Sequence, residues 1–248
     1  MARVAIVGGT GAGLFSRAGR AADQPAASLR WGAPSAAPEE WQEAGHEVLF
    51  LARHGNRGNI PPHRVNYRAN IALIDAWQPD AVLGLNAVGG IAAEPPPGGL
   101  VLPHQLIDYT YGRAHTFFDN RVGSTEFIDF TNPYDEELRN SLIRAAGAAA
   151  VPLTPRGTYG VTQGPRLETA AEIDRLERDG CTVVGMTGMP EAGLAREAGL
   201  AYASLCLVVN AAAGRGSQPI HADIERYLQT AMAAARQVIT RFLSVLPV

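Results

Sequence analysis

The sequence predicts an α/β protein built on a mixed central β-sheet with helices on both faces. Short apolar runs alternate along the chain with longer amphipathic stretches, the pattern of strands and helices layered on one sheet. The apolar runs end in glycines and polar residues, as strands do where they open into loops. With 248 residues, 46% of them hydrophobic and 18% charged, the chain can bury a full core and has the size of one large α/β domain. A single domain over residues 1–248 is expected, since neither an internal repeat nor a domain linker is visible.

Strands are predicted at residues 4–7, 47–52, 81–85, 157–162, 182–186 and 201–209. Helices are predicted at 66–77, 133–146, 168–179, 190–198 and 223–246. Pro133, Pro165 and Pro190 stand at or just before helix starts, where a missing N–H costs little. Residues 21–38 and 95–99, rich in Ala, Pro and Gly, read as surface loops. The apolar N-terminal run is too short for a secretory segment and reads as the first strand.

Composition excludes several classes of function. A net charge of −3 with scattered arginines gives no basic face for nucleic acid or an anionic membrane. No apolar run approaches the roughly 20 residues that span a bilayer. Cys181 and Cys206 lie in apolar runs and read as reduced thiols, which fits a cytoplasmic protein. The six histidines show no metal-ligand spacing, so no metal is expected, and the glycine spacing after the first strand gives no reason to expect a nicotinamide or flavin cofactor.

Polar groups capable of chemistry gather at predicted strand ends. Gly8-Gly-Thr-Gly-Ala-Gly13 follows the first strand, and its backbone N–H groups with the Thr10 hydroxyl can cradle an anion. The spacing is not that of a dinucleotide-binding turn, and a purely structural tight turn is the competing reading. Arg53-His54-Gly55 follows the second strand and can supply phosphate donors, or be a solvated strand end. The small-residue turn Asn86-Ala-Val-Gly-Gly90 follows the third. In an open α/β sheet such ends converge on one crevice, so together they suggest a phosphate pocket. Met186, in Gly185-Met-Thr-Gly-Met-Pro-Glu191, offers a soft surface to a sugar and Thr187 a further hydroxyl; both methionines could equally fill core. Glu168, in Gln163-Gly-Pro-Arg-Leu-Glu-Thr169, and Asn210, ending a later strand, could together read the edge of a 6-oxopurine.

These motifs, with Pro62-His-Arg-Val-Asn-Tyr-Arg-Ala-Asn70 and Ala201-Tyr-Ala-Ser204, resemble the trimeric purine nucleoside phosphorylase and methylthioadenosine phosphorylase family from about residue 2 to 246. The likeness is strongest to its bacterial 6-oxopurine branch, which includes methylthioinosine phosphorylases. It implies that Thr10, Arg53, His54, the backbone at Ala87 and Thr187 hold phosphate, and that Met186 lies under the ribose. Ala87, Val88, Gly89, Leu167, Glu168 and Asn210 would surround the purine. Two departures stand out: Asn86 replaces the Thr of adenosine-type relatives, and Leu167 a common Phe.

The implied reaction is phosphorolysis of inosine- or guanosine-type nucleosides to the free base and ribose 1-phosphate, with inorganic phosphate as co-substrate. Charge develops positive on the ribose and negative on the departing purine, and Asn210 and Glu168 stabilise the base while phosphate attacks. Catalytic roles are therefore expected for Asn210, Glu168 and His54. The resemblance places His221 where inosine-cleaving relatives bind a 5′-hydroxyl, so 5′-hydroxyl nucleosides are expected, with methylthioinosine as the alternative. A nucleoside hydrolase and a non-catalytic nucleoside-binding protein are the readings from other classes. The family also implies a homotrimer, with the aromatic-bearing segment 109–130 a candidate contribution to a neighbouring site.

Overall fold

The computed structural model describes residues 1–17, 19–21, 30–118 and 127–246. In chain order it contains β1 (Arg3–Gly8), β2 (Arg20–Ala21), β3 (Glu39–Glu43), β4 (His46–Ala52), α1 (Tyr67–Trp77), β5 (Ala81–Gly90), β6 (Leu100–Val101) and β7 (Gln105–Asp108). There follow α2 (Glu136–Ala148), β8 (Leu153–Thr154), β9 (Thr158–Val161), α3 (Ala170–Arg178), β10 (Val183–Gly185), α4 (Glu191–Glu197), β11 (Tyr202–Ala211) and α5 (Ile220–Val245). The strands form one mixed sheet in the order β2-β3-β4-β1-β5-β10-β9-β7, and β11 pairs with both β5 and β6.

Side-chain alternation along β1 shows how both faces are covered. Val4 and Ile6 belong to the core that includes Leu142 of α2 and Val238 and Phe242 of α5. Ala5 and Val7 belong to the opposite core, with Ile71 and Ile74 of α1 and Leu194 of α4. Strands β5 and β11 are buried almost throughout, so their sequences read as continuous apolar runs rather than alternating ones.

The six predicted strands and five predicted helices are present, with shifted ends. The largest shift is at residues 86–90, expected as a turn but forming the second half of β5. Their backbone pairs with β11 from Cys206 to Ala211 and with Val183 and Val184 of β10. Small residues are needed there because neighbours crowd in: a Cβ on Gly89 would lie 3.1 Å from Asn210 Nδ2. Helix α3 starts later than predicted because Thr169 caps it in a capping box with Glu172, which leaves Glu168 in the preceding loop. Helix α5 starts earlier, at Ile220 directly after Pro219. The short strands β2, β3, β6, β7 and β8 are unpredicted, the longest of them, β3, being Glu-Glu-Trp-Gln-Glu.

Cys181 and Cys206 are both buried free thiols. Residues 22–29 of the expected loop 21–38, and 119–126 of segment 109–130, lie outside the described residues. Among the described residues no helix is long and apolar enough to cross a membrane.

Candidate active site

The ends of β1, β4, β5, β10 and β11 open on one cavity of about 860 Å³, within the usual size range of small-molecule sites. Thr10 and His54 border it from the loops after β1 and β4, and Ala87, Val88 and Gly89 from β5 itself. Leu167 and Glu168 reach it from the loop before α3, Met186 and Thr187 from the loop after β10, and Asn210 from β11. Asn210 is aimed by a bulge: the β11–β5 register shifts between Val208 and Asn210, which re-directs the next side chain.

Arg53 is placed differently from the sequence expectation. It is fully buried and does not border the cavity. Its Nε and Nη2 donate to the two carboxylate oxygens of Glu191 at 2.6 and 2.7 Å, and its Nη2 and Nη1 donate to Val7 O and Leu85 O. The fork expected to face an anion is therefore turned inward onto a buried carboxylate. Burial opposes the guanidinium charge, yet the Glu191 carboxylate outweighs it and the pKa rises above the ordinary value. Only Nη1 approaches the loop at Thr10: a Cβ on Gly9 would sit 2.8 Å from it, so glycine is required at this contact.

His54 Nδ1 is 2.8 Å from Ile60 O. A carbonyl can only accept, so Nδ1 carries the proton and the neutral ring presents Nε2 as an acceptor. Burial, then the neighbouring Arg53 charge, lowers the His54 pKa, which favours that neutral form. The expected donor role is thereby revised. The Thr187 hydroxyl donates to Asn86 Oδ1 at 2.8 Å, and Asn86 Nδ2 donates to Ser204 Oγ at 2.7 Å. Asn86, fully buried, thus steers Thr187 rather than lining the cavity.

At the other end, Glu168 Oε1 accepts a 2.5 Å hydrogen bond from the Thr162 hydroxyl, which fixes the carboxylate and leaves Oε2 for a ligand. The Asn210 Nδ2 group donates to Ala211 O at 2.7 Å. One N–H and Oδ1 of this carboxamide remain, a donor and an acceptor side by side. Such a pair can meet a ligand edge that offers one acceptor and one donor.

His221 does not reach the cavity and is exposed. Helix α5 begins at Ile220, so Ile220 and Ile224 share one face one turn apart and wall the cavity, while residue 221 points about 100° away. Among the described residues no group of His, Cys, Asp or Glu side chains could hold a metal ion.

The sequence pattern of the phosphorylase superfamily matches residues 3–244. The chain belongs to that superfamily. Its relatives include a "probable S-methyl-5′-thioinosine phosphorylase" of Pseudomonas syringae pv. tomato, 49% identical over 97% of this chain and 98% of the relative. The "6-oxopurine nucleoside phosphorylase" of Pyrococcus furiosus is 42% identical over 81% of this chain and 77% of the relative. Methylthioadenosine phosphorylase from Schistosoma mansoni, solved with tubercidin, superposes with a TM-score of 0.90 at 26% identity, covering 99% of this chain and 92% of that one.

Several residues in and around this cavity escaped sequence reasoning. Glu191, at the first position of α4 after a proline, looks in sequence like an ordinary N-terminal helix acid. Thr162, Ile220 and Ile224 carry no motif at all. Their roles depend on which strand end or helix face meets the cavity, and that is set by tertiary packing.

Proposed function

We propose that this phosphorylase cleaves 6-oxopurine nucleosides and that its preferred substrate is S-methyl-5′-thioinosine, giving hypoxanthine and 5-methylthioribose 1-phosphate. The observation that carries the choice of 5′ group is the α5 wall. Ile220 and Ile224 offer an apolar surface suited to a methylthio group, and His221, on which the 5′-hydroxyl reading rested, is turned to solvent. The name of the Pseudomonas relative supports the same reading, and that of the Pyrococcus relative supports the 6-oxopurine base.

In this reading hydrogenphosphate sits among Thr10, the backbone at Ala87, Thr187 and His54, with Arg53 Nη1 behind the loop. Its P–OH donates to His54 Nε2, so the neutral ring orients the anion. A phosphate oxygen attacks C1′ as the C1′–N9 bond breaks, and the bonding electrons leave with the purine. The departing purine anion takes a proton from solvent at N7; Asn210 donates to O6 and accepts from that N7–H, while Glu168 Oε2 accepts from N1–H. Adenine inverts the pattern at N1 and C6, and a site built for one pattern rejects the other by about 10⁴.

Comparing kcat/KM for methylthioinosine, inosine and methylthioadenosine tests the proposal. Methylthioinosine should exceed inosine by about 10-fold or more, the scale of an apolar pocket's preference. Equal or better use of inosine would overturn the 5′ assignment, and comparable use of methylthioadenosine the base assignment. Hypoxanthine release without phosphate would instead indicate a hydrolase.

A further inference from the structure

Arg113 lies in the segment after β7, far in sequence from both loops that it joins. It is largely buried, and its five N–H groups are all engaged. Nε donates to Gln163 Oε1 at 3.0 Å, and Nη2 to Gln163 O and Thr162 O at 2.8 and 3.3 Å. Nη1 donates to Met186 O and Met189 O at 2.9 and 2.5 Å. The Tyr111 backbone N–H adds a second donor to Gln163 Oε1. A single guanidinium thus ties the start of the loop carrying Glu168 to the loop carrying Met186 and Thr187.

Besides Arg113, the first of these loops is held by Thr162, which bonds Gly185 O and the Glu168 carboxylate, and beyond that by the exposed Arg166–Glu172 pair. Pro165, Arg166 and Leu167 are exposed, and a loop with few buried contacts opens at low free energy. It must nevertheless approach the second loop closely: a Cβ on Gly164 would collide with Met186 Sδ. The Met186 loop, by contrast, is also anchored by Thr187 on Asn86 and by Glu191 on Arg53. Loss of Arg113 therefore falls mainly on the loop that carries Glu168.

We infer that Arg113 is the positioning residue for base recognition, setting the spacing between the carboxylate that reads the purine and the methionine surface that supports the sugar. This rests on the phosphorolysis proposed above. It predicts an asymmetric defect, because Thr10 and His54 hang on other strands and Thr187 keeps its own anchor on Asn86.

The test uses the full chain with Arg113→Ala and Arg113→Lys. In R113A the nucleoside KM and the hypoxanthine Kd should both rise by about 30-fold, roughly the net effect of losing one hydrogen bond to a charged group, while the phosphate KM stays within about threefold. Methylguanidinium should restore part of the R113A nucleoside affinity, and R113K should restore little, since an ammonium lacks the fork. A purely structural role would lower the active fraction and leave both KM values in place. Amide hydrogen exchange over residues 162–169 should accelerate at least tenfold in R113A, a readout that stands even if the wild type proves not to be a phosphorylase. Unchanged exchange and unchanged nucleoside KM in folded R113A would overturn the inference. Should R113A not fold, Gln163→Leu removes the acceptor shared by Arg113 Nε and Tyr111 N while keeping the guanidinium, and an unmoved nucleoside KM and exchange rate there would overturn it equally.

Discussion

Replacing Glu191 by glutamine probes the buried pair beneath the loop that carries Gly9 and Thr10. Both carboxylate oxygens accept from Arg53, and Oε1 also accepts from the Tyr202 hydroxyl at 2.8 Å. In Glu191→Gln one oxygen becomes an NH₂ group that must face an Arg53 N–H, and the buried guanidinium keeps its charge without a counter-ion. Removing one partner of a buried ion pair costs about 3–5 kcal/mol. For a chain of this size that corresponds to a fall in Tm of about 6–20 °C, at roughly 2–4 °C per kcal/mol. The effect should reach the site, because Arg53 also holds Val7 O and Leu85 O and lies under Gly9, next to Thr10. The phosphate KM should rise about tenfold, equivalent to about 1.4 kcal/mol, with a smaller change in the nucleoside KM. Thermal unfolding and initial rates at varied phosphate measure both, and Glu191→Asp, which keeps the charge, should fall between. A Glu191→Gln protein that unfolds within about 2 °C of wild type with an unmoved phosphate KM would refute the reasoning.

Asn210→Asp should lower the preference for 6-oxopurines over adenine, because the carboxylate no longer donates to O6; an unchanged ratio of kcat/KM values for methylthioinosine and methylthioadenosine removes Asn210 from its role. Ile224→Ser should cut the methylthioinosine to inosine ratio by about 10-fold, the worth of apolar contact in such a pocket, and a constant ratio would move the 5′ group elsewhere. Thr162→Val should reduce nucleoside kcat/KM by about 10-fold through loss of a hydrogen bond to a charged group, with Thr162→Ser restoring most of it. The lowered His54 pKa has a stability consequence. Protonating the ring costs more in the folded than in the unfolded chain, so its contribution is full above the ordinary value of about 6.5 and is lost as pH falls below that toward the folded value. Tm measured from pH 7.5 to 4.5 should therefore drop less steeply for His54→Gln than for wild type, and parallel curves would count against the neutral assignment.

What the sequence made legible was the set of strand ends, and what it left hidden was the direction of individual side chains. The runs at β1, β4, β5, β9, β10 and β11 are apolar enough to be read as buried strands, and Thr10, Glu168, Met186 and Asn210 follow from where those runs stop. Residues 86–90 failed because Gly-rich composition signals a turn locally, whereas two neighbouring strands supply the hydrogen bonds that make it a strand. Arg53 and His221 failed for a different reason: each stands at the expected position in the chain, but its partner decides where it points. Arg53 turns inward because Glu191 arrives from a residue 138 positions away, and His221 turns outward because α5 begins one residue before it. Both errors fall on long polar side chains, whose reach lets a distant contact or a 100° helical step reverse their role. A short side chain fixed by its strand, such as that of Asn210, leaves far less room for reversal. The direction of the His54 error follows the same logic, since the carbonyl of Ile60 decides which ring nitrogen carries the proton and so converts an expected donor into an acceptor.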